Sequence, residues 1–137
     1  MSKSSEQPSD NTVVKFEVMP GKSRYATIMI HNRFSPCTIQ FSYQSQADLT
    51  VFVSTKHKKP DETNCYQYNS RPLNLILQTA SKRFKDECVF LGFHSREGIH
   101  FLLDVQCYES PAALSKIQAR LAGRAGIITL PESEHWC

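Results

Sequence analysis

Apolar and polar residues alternate along several short segments of this chain, and each segment ends at a turn signal. The clearest is residues 48–54, where Leu49, Val51 and Val53 fall on one face of an extended strand. Residues 88–105 contain two apolar runs joined by a short polar turn that ends in glycine, a pattern typical of a β-hairpin. Such segments recur about every ten residues, which favours a sandwich or jelly roll over a βαβ fold.

We therefore predict an all-β fold, a seven- to eight-stranded antiparallel β-sandwich or jelly roll with a short C-terminal helix and tail. Residues 1–12 are predicted to be a flexible N-terminal arm, 13–108 the sandwich domain, and 109–137 the helix and tail. The predicted strands are residues 13–19, 24–31, 38–44, 48–54, 65–68, 73–77, 88–94 and 99–107. The predicted core residues are Leu49, Val51, Val53, Val89, Leu91, Phe93, Phe101, Leu103 and Val105.

The second predicted strand, residues 24–31, carries apolar side chains on both of its faces. Ala26, Ile28 and Ile30 alternate with Tyr25, Thr27 and Met29. We therefore expect this strand to be covered on both sides.

Length and charge limit the classes of function. A chain of 137 residues corresponds to about one domain. Its net charge of +3, from 16 basic and 13 acidic residues, is too weak to indicate nucleic-acid binding, which needs clustered cations. No stretch approaches the roughly 20 apolar residues of a membrane span. The first ten residues contain no apolar run of the kind that a secretory signal needs.

The five cysteines do not form a recognisable framework. They are an odd number and no two have the CxxC spacing of a zinc site. We expect all five to be reduced, with no cofactor and no metal, in a cytoplasmic protein. These cysteines are Cys37, Cys65, Cys88, Cys107 and Cys137.

Candidate catalytic and metal-binding residues are present without the motifs that would connect them. No nucleophile lies in a GxSxG elbow, so we expect a protein that is not an enzyme. His94 and His100 would face each other across the predicted hairpin, but a metal would need a third ligand such as Asp104 or His31. The residues considered for nucleophilic catalysis are Cys37, Cys88, Ser54, Ser95, His31, His94 and His100.

The loops offer little to a hard cation. The loop after residues 48–54 contains only Asp61 and Glu62 beside three lysines, whereas calcium takes six or more oxygen ligands. We do not expect a calcium site in this loop.

The order of these elements resembles the pre-peptidase C-terminal (PPC) domain family. The shared pattern is an Asp-Leu strand, a polar loop that contains proline, an aromatic strand, and two apolar strands that meet at a glycine turn. The resemblance covers about residues 13–108 and implies a non-catalytic jelly-roll accessory domain. A C2-like or calpain-type sandwich is the other family that the pattern resembles. The matching positions are Asp48, Leu49, Val51 and Val53, then Tyr66 or Tyr68, then Val89, Leu91, Phe93, Gly98, Phe101, Leu103 and Val105.

The C-terminal segment is the candidate partner-binding site. After Ser110 and Pro111, which are typical of a helix start, Leu114, Ile117 and Leu121 recur at helical spacing. Residues 127–130 are expected to form an extra strand or an extended clasp. This segment either packs on its own sandwich or docks on a partner by the helix-in-groove mode. Trp136 in the tail is a residue type that anchors interfaces.

These observations predict a non-catalytic structural or interaction protein, an adaptor that docks through a protein partner into a larger intracellular assembly, in a cytoskeletal or ciliary setting. We expect no nucleic acid, no membrane span and no small-molecule substrate. The predicted partner-binding residues are Leu114, Ile117, Leu121 and Trp136. The alternative is a C2-like or carbohydrate-binding-like ligand module that acts through loops at residues 55–64 and 78–87.

Overall fold

Within the residues that the computed structural model describes, nine strands and one short helix follow one another along the chain. The structure describes residues 10–30, 36–79, 87–108, 112–121 and 125–130. The elements are β1 (Asp10–Val18), β2 (Lys22–Ile30), β3 (Cys37–Tyr43), β4 (Thr50–Ser54), β5 (Gln67–Ser70), β6 (Asn74–Thr79), β7 (Glu87–Ser95), β8 (Ile99–Cys107), α1 (Ala113–Arg120) and β9 (Ala125–Leu130).

The strands form two sheets that pack face to face. The first has the order β1-β8-β3-β6-β9 and the second the order β2-β7-β4-β5. The first eight strands are antiparallel to their neighbours and have the two Greek keys of a jelly roll, which confirms the predicted all-β class. β9 extends the first sheet by pairing parallel with β6. The C-terminal segment therefore contributes a strand to the sandwich.

The core lies between the sheets and contains the predicted residues. Eight of the nine are buried, and Val105 is partly buried against them. Rings from both sheets meet at its centre, where Phe101 lies 5.1 Å from Phe93 and 5.5 Å from Phe16 between ring centroids. This burial confirms the inward face that the alternating pattern predicted for β4, β7 and β8.

The predicted hairpin at residues 88–107 is wrong in its pairing. β7 belongs to the second sheet and β8 to the first, so residues 95–98 carry the chain from one sheet to the other. Among the described strands, only β4 and β5 are consecutive in sequence and paired with each other. A polar turn between two apolar runs is equally compatible with a hairpin and with a crossing between sheets.

Asp48 holds the crossing between β7 and β8. Its carboxylate accepts hydrogen bonds from the Ser95 hydroxyl at 3.3 Å and from the backbone N–H groups of Arg96 and Glu97 at 3.2 and 3.3 Å. The Ser95 hydroxyl in turn accepts the N–H of Gly98 at 3.0 Å. Asp48, the first residue of the Asp-Leu pattern, therefore stabilises a turn that is distant in sequence by accepting its hydrogen bonds.

Two turns pack together at this end of the sandwich. Gly21 donates its N–H to the Ser95 carbonyl at 2.8 Å, and the Pro20 ring lies against Gly98. Both glycines have positive φ, at 69° and 86°, which is the conformation that makes glycine favourable at these positions. Within the described residues, no helix has the length and apolar character needed to cross a bilayer.

Candidate functional site

The two sheets separate along one side of the sandwich and leave an apolar cleft. Among the described strands, β1 pairs only with β8 and β2 only with β7, so both lie at sheet edges. The cleft between them has a volume of about 200 Å³. Side chains from β1, β2 and β8 line it, and these include Val14, Phe16, Ala26, Ile28, Leu103 and Val105.

Exposed apolar side chains concentrate on the two edge strands that border this cleft and on the turn between them. Of the nine large hydrophobic residues that are exposed in the described part of the chain, five belong to β1, β2 or the turn between them: Val13, Val14, Met19, Tyr25 and Met29. Tyr25 and Met29 are 40% and 43% exposed, which contradicts the expectation that their strand is covered on both sides. The apolar residues on both faces of β2 therefore belong to an edge strand with one exposed face. We name the cleft and the flanking strands β1 and β2 the open edge.

The rim of the open edge is mostly basic. Among the described side chains of β1 and β2, Lys15, Lys22 and Arg24 are exposed beside the carboxylate of Glu17. Arg24 reaches from β2 to β1, where its guanidinium donates to the Glu17 carbonyl at 3.2 Å and lies 5.8 Å from the centre of the Phe16 ring. This contact spans the cleft at the end nearest the β1–β2 turn.

A second surface lies on the outer face of the second sheet. The register aligns Tyr25, Gly92, Phe52 and Tyr68 in one row across its four strands. The Phe52 and Tyr68 rings lie 6.4 Å apart, and Tyr68 is 64% exposed. Pro60, from the β4–β5 loop, is buried against Gly92 in the middle of this row. The loop therefore separates Tyr25 from the other two rings.

The Asp61 carboxylate of the β4–β5 loop accepts hydrogen bonds from within its own loop. The Asp61 carboxylate accepts bonds from the hydroxyl and N–H of Thr63, both at 2.9 Å, and from the N–H of Asn64 at 2.8 Å. These hydrogen bonds lower the pKa of Asp61. Within the described residues, no three His, Cys, Asp or Glu side chains are grouped as a metal would need.

The residues considered for catalysis and metal binding lie apart. His94 is on the second sheet and His100 on the first, so they do not face each other as the predicted hairpin required. The Ser54 hydroxyl accepts the N–H groups of Lys56 and His57 at 3.1 and 3.0 Å. Ser95 bonds to Asp48, Cys37 faces Cys107 in the core, and His31 lies outside the described residues.

The predicted partner-binding stripe of α1 packs on the protein's own first sheet. Ile117 is fully buried against Ile76 and Tyr108, and Leu114 and Leu121 are partly buried there. This placement corrects the prediction for these three side chains and agrees with the alternative that the segment covers the sandwich. Trp136 lies outside the described residues.

Hydrogen bonds continue from the helix onto β8. Arg120 donates to the Tyr108 hydroxyl at 3.0 Å, which donates to the Gln106 side-chain carbonyl at 2.9 Å, and the Gln106 amide donates to Asp104 at 3.3 Å. The helix is thus tied to the sheet by packing and by polar contacts. Sequence spacing identified the stripe but carried no information about which surface it covers.

Among the described cysteines, one differs from the prediction. Cys88 is disulfide-bonded, so the expectation that all five cysteines are reduced is wrong for this residue. Its partner lies outside the described residues, and residue spacing along the chain showed no sign of the bond.

Comparisons with known proteins inform the fold alone. No protein-family model and no curated protein matches this sequence. Among solved structures, the chain is similar to the Yersinia pseudotuberculosis-derived mitogen, with a TM-score of 0.50 and 12% sequence identity. The similarity covers 75% of this chain and 89% of that one. At such low identity the likeness supports the β-sandwich and says nothing about activity.

Proposed function

We propose that this protein is a non-catalytic interaction module that binds an extended segment of a partner protein at its open edge. The observation that carries the proposal is the apolar cleft of about 200 Å³ between two edge strands that display exposed apolar side chains. Such a module is suited to docking into a larger assembly.

Edge strands present backbone N–H and C=O groups that a further strand can pair with. β1 has nine residues and offers about 30 Å of edge, enough for a peptide of similar length. In strand addition, main-chain hydrogen bonds supply affinity and pockets for alternate side chains supply specificity. We infer that the partner pairs with β1 and inserts alternate apolar side chains into the cleft.

The charge of the rim indicates the partner's remaining side chains. Among the described side chains of β1 and β2, the basic residues Lys15, Lys22 and Arg24 outnumber the acidic residue Glu17, so acidic residues between the apolar ones of the peptide would complement the rim. The proposed occupant is therefore an extended peptide in which apolar residues alternate with Asp or Glu.

The resemblance to PPC domains supports the same class of function. It implies an accessory domain without chemistry of its own, and the β-sandwich found here is compatible with that. In the described part of the chain, the hydroxyl groups of Ser54 and Ser95 are engaged in turns.

A second candidate function is a ligand module on the outer face of the second sheet. The row of Tyr25, Phe52 and Tyr68 favours it, because exposed aromatic faces suit ligands with flat apolar surfaces such as sugar rings. Pro60 interrupts this row, and Asp61 is engaged within its own loop. We therefore rank this function second.

The test is selection from a displayed library of nine-residue peptides on the full chain, followed by NMR mapping of the selected peptides. We expect alternating apolar and acidic sequences, with shifts and slowed amide exchange in β1 and β2. Val14→Lys should weaken binding about tenfold or more, since it places a charge in the cleft. The matched control is Ile127→Lys on β9, an exposed apolar residue at the opposite edge of the same sheet.

Three results would contradict the proposal. Shifts confined to Tyr68 and residues 55–66 would favour the ligand module. A concentration-dependent dimer that Val14→Lys dissociates would make a second copy of this chain the occupant. Equal losses in the Val14 and Ile127 variants would show that the open edge has no special role.

A further inference from the structure

Two cysteine side chains face each other inside the first sheet. Cys37 on β3 is directly opposite Cys107 on β8 in the strand register. Their sulfur atoms lie 2.7 Å apart, and both side chains are thiols in this structure. Both residues are buried, with Cys37 at 0% and Cys107 at 7% exposure.

The backbone around this pair suits a covalent bond. At the adjacent register position, Tyr108 donates its N–H to the Pro36 carbonyl at 3.0 Å. Hydrogen-bonded and non-hydrogen-bonded pairs alternate in an antiparallel ladder, so Cys37 and Cys107 occupy a non-hydrogen-bonded position, where Cα atoms are about 4.5 Å apart. That separation lies inside the range of roughly 4.4 to 6.8 Å found for disulfides. The S–S bond of about 2.05 Å then requires less than about 1 Å of movement.

We propose that Cys37 and Cys107 are an oxidative modification site that forms a cross-strand disulfide with a peroxide as the oxidant. Cys107 lines the cleft of the open edge, whereas Cys37 is fully enclosed, so Cys107 is the sulfur that a small oxidant reaches. The Cys107 thiolate attacks one peroxide oxygen and breaks the O–O bond, which gives a sulfenic acid and, with hydrogen peroxide, one water. The Cys37 thiol then attacks the Cys107 sulfur, forms the S–S bond and releases a second water. Two thiols are oxidised and one peroxide is reduced.

The bond would join two residues that are 70 positions apart in the chain. Crosslinks over long loops restrict the unfolded chain and so favour the folded state. Because it joins neighbouring strands of one sheet, the disulfide should form without rearrangement of the fold. It is independent of the proposed function, since it requires no partner at the open edge.

Peptide mapping of the full chain tests this assignment. The protein is treated with hydrogen peroxide, alkylated without reductant and digested with trypsin, which cleaves after lysine and arginine. We expect a linked product of residues 34–56 and residues 97–116 that reductant separates, together with a rise in melting temperature on the order of 5 to 15 °C. The remaining thiol among the described residues, Cys65, should still be alkylated, because burial and the nearby Asp61 charge raise its pKa and so disfavour the reactive thiolate.

Matched variants separate this bond from general oxidation. Cys107→Ala and Cys37→Ala should each lose the linked product and the rise in melting temperature, while Cys65→Ala should keep both. The mapping of the unmodified chain stands by itself if an alanine variant fails to fold. The proposal is overturned if both peptides are recovered fully alkylated after peroxide, if oxidation stops at sulfinic acid, or if the linked product contains Cys65.

Discussion

Asp48 shows how one polar side chain can determine the path of the chain between two sheets. Its partial burial acts to raise the pKa of the carboxyl, but the N–H groups of Arg96 and Glu97, the Arg96 charge and the Ser95 hydroxyl together hold the pKa below its usual value. The ionised form is therefore favoured by folding. The carboxylate therefore stabilises the connection between β7 and β8 more strongly when it carries its charge.

We predict that Asp48→Asn lowers the free energy of unfolding at pH 7 by about 1 to 3 kcal/mol, because an amide satisfies the donors of the turn less well than a carboxylate. The folded pKa lies below the unfolded value of about 3.9, so the contribution is complete above that pH and is lost as pH falls through the folded pKa. Denaturant titrations from pH 7 to pH 2 should thus show the two proteins converging in acid. Glu62→Gln, at an exposed acidic residue of the β4–β5 loop, is the control. A constant difference at all pH values would contradict the assignment.

Gly92 offers a second prediction at this scale. A Cβ at this position would lie 2.5 Å from the Pro60 carbonyl oxygen, which is backbone and cannot move alone. Gly92→Ala should therefore displace the β4–β5 loop and lower the free energy of unfolding by about 1 to 3 kcal/mol. At Gly126 a Cβ would meet only the Leu75 side chain at 3.4 Å, so Gly126→Ala should change stability by less than about 1 kcal/mol. Thermal unfolding of both variants makes the comparison, and similar losses would show that the Pro60 contact is unimportant.

Among the elements, α1 and β9 differ most from the prediction, which made the C-terminal helix and tail a partner-binding segment. The helix has no side-chain hydrogen bond at its N-cap, Ala112, and it is held on the sheet by its apolar stripe and by the hydrogen bond from Arg120 to Tyr108. β9 places Ile128 in the main core beside β6. An eight-residue helix is too short to be stable alone in water, so its formation depends on this packing.

We predict that Ile117→Ala lowers the free energy of unfolding by about 2 to 5 kcal/mol through lost burial and the cavity that remains. Ile127→Ala, at a residue 42% exposed on β9, should cost less than about 1 kcal/mol. Chemical denaturation monitored by circular dichroism measures both. Equal and small losses of unfolding free energy in the two variants would show that the helix contributes little to the stability of the fold. Its apolar stripe would then be a candidate docking surface.

The whole molecule is a jelly roll in which six of the eight connections between consecutive described strands lead from one sheet to the other. Only β4 and β5 pair locally, so most of the sheet depends on contacts between distant parts of the chain. Folds of this kind close long loops before their strand pairs form, which slows folding. The aromatic centre formed by Phe16, Phe93 and Phe101 joins β1, β7 and β8 across both sheets.

We predict that Phe101→Ala lowers the free energy of unfolding by about 3 to 5 kcal/mol, because this fully buried ring contacts rings from both sheets. Leu73→Ala, at a residue 55% exposed, is the control and should cost less than about 1 kcal/mol. Equilibrium unfolding in urea provides the measurement. A loss below about 1 kcal/mol for Phe101→Ala would place the centre of the core elsewhere.

The residues that sequence reasoning placed correctly are those governed by local chemistry. Alternation put Leu49, Val51 and Val53 on the inward face, since successive strand residues point to opposite sides. The glycine in the turn pattern predicted the turn at Gly98, where φ is positive. These features depend only on a residue and its near neighbours, so the sequence by itself determined them.

The tertiary structure alone decided which strands are neighbours. Contacts between distant segments determine three features that the sequence did not predict. These are the crossing between sheets at residues 95–98, the edge position of β2 and the burial of Ile117. The same pairing created the open edge and placed Cys37 opposite Cys107. Local periodicity indicates which face of a strand is apolar, but it does not identify the strand that pairs with it. The free energy of strand pairing depends on contacts between segments that are far apart in the chain.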